Sequence, residues 1–76
     1  MSYSDWKQID FSDEDELYYI IHTKYGLDWN DENKRELKQI GENCKKYNLK
    51  KSSQSITHGE LYEYIGKFGW ELAAKS

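Results

Sequence analysis

Apolar residues recur at helical spacing in three separate stretches of this chain. Leu17, Ile21 and Tyr25 fall at i, i+4 and i+8, with Tyr18 and Ile20 beside them. Leu37, Ile40, Cys44 and Tyr47 follow at intervals of three and four, and Leu61, Tyr64, Ile65 and Phe68 form a third set. Such spacing places each set on one face of an α-helix. It predicts a small, mainly α domain of three helices, near 13–25, 31–47 and 57–68, with a short C-terminal tail. All 76 residues belong to one domain.

Start and stop signals agree with this pattern. Ser12 precedes "DEDE", four acids in an opening turn where the helix dipole favours negative charge. Phe11 and Leu17 are placed to staple that start, and Gly26-Leu27 reads as a left-handed C-cap with its apolar follower. Asn30 caps the second helix, Glu42 and Lys46 form an i, i+4 pair, and Asn48-Leu49 ends it. "THGE" at 57–60 is a capping-box pattern, with Ile56 and Leu61 as the staple and Glu63–Lys67 as an outward pair. Gly59 and Gly66 each cost this helix about 1 kcal/mol relative to alanine, so packing has to support it.

The remaining stretches are less regular. Residues 18–26, "YYIIHTKYG", are rich in strand formers, but they lack alternation, and the acidic cap upstream favours helix. Residues 1–11 read as a loosely ordered arm whose Trp6 and Ile9 could dock. "NLKKSSQS" at 48–55 is a polar connector. In the tail, Gly69 after Phe68 reads as a C-cap that lets Trp70 close the core. The competing pattern runs the helix on through Gly69: Leu72 then continues the apolar face, Glu71 pairs with Lys75, and Trp70 points outward.

The tail "LYEYIGKFGWELAAKS" resembles the closing stretch of small bacterial domains of unknown function that end in a helix followed by Gly-Trp-Glu-Leu. The matching residues are Leu61, Ile65, Gly69, Trp70, Glu71 and Leu72. The resemblance implies a small α+β fold with a final strand at 70–74; the family has no established activity, so it supplies no function.

Composition adds two points. Three Trp, seven Tyr and two Phe provide large apolar area for a small hydrophilic chain, so the core is expected to be aromatic-rich. The single Cys44 leaves no internal disulfide, no stretch resembles a signal peptide, and no apolar run nears the roughly 20 residues of a membrane span. A cytoplasmic location is the expectation.

Charge is segregated. Residues 1–32 carry nine acids and two bases, and residues 33–51 carry seven bases and two acids, within a net charge of −3. On a helical wheel Lys34, Lys38 and Lys45 lie within about 40° of one another, with Arg35 and Lys46 on the adjoining strip and Lys50 and Lys51 extending it. Such a stripe suits phosphate contacts, although the acidic third of the chain competes for the same cations.

Catalytic chemistry finds no constellation. His22 and His58 have no ligand-spaced partner and read as partly exposed surface residues, and Cys44 reads as a buried apolar side chain. Neither cofactor nor metal is expected, nor an enzyme. A helix-turn-helix is rejected because 48–56 exceeds its usual turn. The leading expectation is a protein-interaction module that regulates or inhibits a larger partner. Its acidic and aromatic surface comprises Asp13, Glu14, Asp15, Glu16, Tyr19, Trp29, Tyr62 and Trp70. The alternative is a nucleic-acid-binding accessory protein using Lys34, Arg35, Lys38, Lys45, Lys46, Lys50 and Lys51. A homo-oligomer is a third expectation.

Overall fold

A computed structural model describes residues 3–51 and 54–75. The expected arm and polar connector fall partly on residues 1, 2, 52 and 53, outside that range. Helix α1 covers Glu14–Tyr18 and runs on as a π-helical stretch over Tyr19–Lys24. Helix α2 spans Asp31–Tyr47, α3 spans His58–Phe68 and α4 spans Trp70–Lys75. The fold is mainly α, and α2 is its hub, packed against the π-helical stretch, α3 and α4. Among the described residues the only strand-like pairing is a single bridge between Gln8 and Thr57.

Local signals account for the helix ends. Asp13, not Ser12, caps α1: its side chain accepts from the amides of Asp15 and Glu16, while the Ser12 hydroxyl is committed to Asp10. Asn30 accepts from the Asn33 amide to start α2, and Thr57 with Glu60 closes the capping box that starts α3. The π-helical stretch ends at Gly26, whose φ of +66° allows the Leu27 amide to reach the Ile21 carbonyl. At the end of α2 the left-handed position falls to Leu49, with φ +57°, and the Lys50 amide bonds back to Lys45.

The three apolar faces meet in one core containing Leu17, Ile20, Ile21, Leu37, Ile40, Cys44, Ile56, Leu61, Tyr64 and Ile65, all at most 3% exposed. Each fully buried Leu or Ile contributes about 1.5–3 kcal/mol over its exposed state. Aromatic rings surround this centre rather than filling it: Phe11, Tyr19, Tyr25, Trp29, Tyr62, Phe68 and Trp70 are all half-buried against it.

Residues 3–11 form no helix but pack against the rest of the fold. Ile9 is buried, and its amide donates to the Ile56 carbonyl at 2.9 Å. The first two amides of α3, His58 and Gly59, donate to the carbonyls of Lys7 and Asp5 at 2.9 and 2.7 Å. Those two amides have no partner inside their own helix, so the arm supplies what a helix start requires. The sequence placed Trp6 and Ile9 together as docking side chains; Ile9 docks, but Trp6 is 81% exposed.

The strand implied at 70–74 is a helix instead. Gly69, at φ +83°, stops α3 as its position after Phe68 predicts, and α4 starts at the next residue. Ala73 and Ala74 favour that helix. Lys75 pairs with Glu71 at 3.1 Å, Ala73 is buried, and Leu72 is left 60% exposed. Trp70 is half-buried, its indole N–H donating to Glu36 at 2.9 Å. The stop is therefore real, and a new helix follows it.

Candidate functional site

Two polar features stand out: a buried network where the arm meets α1 and α3, and a cleft between α1 and α2. In the first, His58 is fully buried and its Nε2 lies 2.6 Å from Glu16 Oε1, itself 1% exposed. A carboxylate accepts, so Nε2–H donates, while Nδ1 on the other side of the ring lies 2.8 Å from the Tyr62 hydroxyl. Glu16 also accepts from Lys7 Nζ at 3.0 Å and from the Asp10 amide at 3.3 Å. The Tyr3 ring stacks on the imidazole, with centroids 4.8 Å apart and planes 4° apart. No buried side-chain nitrogen or oxygen among the described residues lacks a partner.

The network corrects two expectations. Glu16 is no part of an acidic surface, and His58 is not a partly exposed histidine. Both sit on core faces that helical spacing could have marked: Glu16 lies four residues before Ile20, and His58 lies three and seven residues before Leu61 and Ile65. Burial alone would raise the Glu16 carboxyl, but hydrogen bonds from His58, Lys7 and the Asp10 amide outweigh it and hold it below the usual carboxylate range. The hydrogen bond to Glu16 in turn pushes Lys7 up.

A further buried polar residue was not foreseen. Asn43, 4% exposed, accepts from Gln39 and donates to the Ala73 carbonyl at 2.8 Å, tying α2 to α4. Two glycines let the arm lie close. A Cβ on Gly41 would meet the Phe11 ring at 2.5 Å, and one on Gly59 would meet the Asp5 carbonyl oxygen at 2.9 Å.

The other residues expected at a protein-binding surface are scattered. Asp13, Glu14 and Asp15 are exposed beside the arm, where Asp5 and Asp10 are also exposed. Lys7, the single base between residues 3 and 16, is turned to Glu16, so this face is strongly acidic. Tyr19 meets Tyr3 edge-on at 5.0 Å, and Tyr62 and Trp70 both contact Tyr25. Trp29 lies apart, against Tyr18 and under Lys34. The exposed aromatic of the arm is Trp6, held on a turn closed by the Lys7 amide bonding to the Ser4 carbonyl at 3.0 Å.

The basic stripe divides. Lys34 lies 3.7 Å from Glu14 and 3.5 Å from Asp31, Lys45 lies 3.8 Å from Glu42, and Lys50 lies 2.6 Å from Glu60. The Glu42 partner is thus Lys45 rather than the expected Lys46. Lys67 likewise donates to the Tyr47 hydroxyl rather than forming a short ion pair with Glu63. Arg35, Lys38, Lys46 and Lys51 make no ion pair among the described residues. Arg35, Lys38 and Lys34 line a cavity of about 240 Å³ with Phe11, Glu14, Leu17 and Asp31.

Nucleophilic chemistry is poorly served by these groups. Burial pushes the Cys44 thiol up to about 11 and the Tyr25 hydroxyl up to about 12, and it raises Tyr62 as well. None is ionised near neutrality. His22 is exposed and stacks on Tyr18. Among the described residues no group of three or more His, Cys, Asp or Glu side chains is arranged to hold a metal, and no helix is long and apolar enough to cross a membrane. Comparison with protein-family models, with curated proteins and with solved structures finds no match to this chain.

Proposed function

We propose that this chain is a non-enzymatic protein-interaction module that regulates or inhibits a larger partner, engaging a basic surface through its acidic arm face. The observation that carries the reading is Trp6, 81% exposed on a hydrogen-bonded turn. Asp5 is its chain neighbour, and Asp10, Asp13, Glu14 and Asp15 are exposed in the same N-terminal stretch. An exposed tryptophan contributes nothing to the core, whereas tryptophans dominate binding hot spots. The surrounding acids would steer a basic partner and fix its orientation. The buried network supports the same reading, because it holds the turn in place before binding and lowers the ordering cost of association.

Affinity capture from host extract with the wild-type chain, Trp6→Ala and Asp15→Lys tests this. Both substituted side chains are exposed, so the fold should survive. Trp6→Ala is expected to weaken capture of the partner by about thirtyfold, equivalent to about 2 kcal/mol. Capture unchanged by both variants would contradict the proposal. So would retention of nucleic acid that is lost in Lys46→Glu/Lys51→Glu.

A further inference from the structure

We infer that the cleft between α1 and α2 binds a small carboxylate carried on an apolar group. Leu17 and Phe11 give the cleft its apolar lining: Leu17 is 2% exposed, and Phe11 is half-buried with its ring over Gly41. Its wall is one face of α2, presenting Lys34, Arg35 and Lys38. Glu14 and Asp31 stand at the same cavity, and both are turned to Lys34, which also lies 4.7 Å from the Trp29 ring centroid. Lys34 is thereby neutralised within the protein. Arg35 and Lys38 are left facing one cavity without an ion pair among the described residues.

The class of anion follows from that arrangement. Three cations against two carboxylates leave one net positive charge around the cleft, which matches a monoanion. A phosphate dianion or a polyphosphate would exceed that charge and leave the cleft net negative beside Glu14 and Asp31. A guanidinium recognises a carboxylate through two parallel hydrogen bonds, with the ammonium of Lys38 as a second donor. A volume near 240 Å³ lies below the usual range for drug-sized ligands, so the group is small, of about ten non-hydrogen atoms. Glu14 belongs to both this cleft and the acidic face, but the site rests on Arg35 and Lys38 and does not depend on that reading.

The same chemistry is offered by a free aromatic or aliphatic acid and by the C-terminal end of a peptide. Titrations of the ¹⁵N-labelled chain with phenylacetate, N-acetylphenylalanine and uncharged phenylacetamide, followed by amide shifts, distinguish them. Saturable shifts centred on residues 11, 17, 34, 35 and 38 are expected, with a Kd of about 1 mM for the better carboxylate. The tighter of the two acids identifies the source. Arg35→Gln and Lys38→Gln should each weaken binding about tenfold, and Glu14→Gln, which leaves Lys34 with Asp31 alone, should tighten it severalfold. This opposite change separates a binding effect from lost structure, as does an unchanged thermal midpoint for the exposed Arg35 and Lys38 variants. Shifts of equal size with phenylacetamide, shifts that fail to saturate, or indifference to Arg35→Gln would overturn the assignment.

Discussion

The arm–α3 junction and the α1–α2 cleft both gather charged side chains around α1, yet they use them in opposite ways. At the junction, Glu16 is buried and saturated by three protein donors, with His58 and Tyr62 continuing the chain. In the cleft, Glu14, two residues earlier on the same helix, is exposed and shares Lys34 with Asp31 at 3.5–3.7 Å. The difference is depth. A buried carboxylate must be paired or it destabilises the fold, whereas an exposed pair is worth little and leaves neighbouring cations available. The junction therefore holds the architecture together, and the cleft is free to vary.

Breaking the two regions in turn should expose this contrast. Glu16→Ala leaves the buried His58 without its acceptor and takes one from Lys7 and the Asp10 amide. It is expected to cost about 3 kcal/mol or more, a large part of the roughly 4–11 kcal/mol available to a domain of this length. Arg35→Ala in the cleft should move stability by no more than about 0.5 kcal/mol. Urea denaturation of both variants provides the comparison, and equal losses would erase the distinction between the regions.

The glycines sharpen it further within a single helix. Gly59→Ala forces a Cβ to within 2.9 Å of the Asp5 carbonyl, part of the arm's own hydrogen-bonded backbone. It should cost about 1–3 kcal/mol, even though alanine is the better helix former. Gly66→Ala, seven residues on, meets nothing within 4 Å and should stabilise by about 1 kcal/mol. Thermal melts of the two variants should shift in opposite directions.

Acid should act first at the junction. The Glu16 carboxyl is held below its usual value of 4.5, as is Glu60 in the capping box, where burial is outweighed by hydrogen bonds from Lys50 and Thr57. Their stabilisation is complete above that unfolded value and is lost as pH falls through the lower folded values. A pH series of melts should thus fall steeply below about pH 4.5 in the wild type and more gently in Glu16→Gln. A modest effect is expected at the end of α2: Leu49→Gly removes a 91% exposed side chain from a left-handed position and should stabilise by about 0.5–1 kcal/mol.

Much of this fold is legible in the amino-acid order. The bounds of α2, its Asn30 cap, the Thr57–Glu60 capping box and the stop at Gly69 all follow from local chemistry that tertiary context does not alter. The arm is not legible, because backbone carbonyls hold it and every residue has one; only the close approach at Gly41 and Gly59 betrays it. The tail misleads for a related reason: its Gly-Trp-Glu-Leu resemblance implies a strand, whereas Ala73-Ala74 and a surface on α2 and α3 supply what a short helix needs. The candidate site was half visible. Exposed acids and lysines are read from composition, but their pairing is not, since Lys34 reaches Glu14 across twenty residues and Glu16 reaches His58 across forty-two. The helical register of Glu16 and His58 was the available signal for burial.

Native-state hydrogen exchange tests most directly the claim that the arm is an integral layer locked by Glu16 and His58. The amides of Ile9, His58 and Gly59 bridge the arm to the segment entering α3. They should exchange as slowly as the amides inside α2, and all three should lose protection together in Glu16→Gln while α2 remains protected. Exchange of these three at unfolded-chain rates in the wild type, beside a protected α2, would contradict the account.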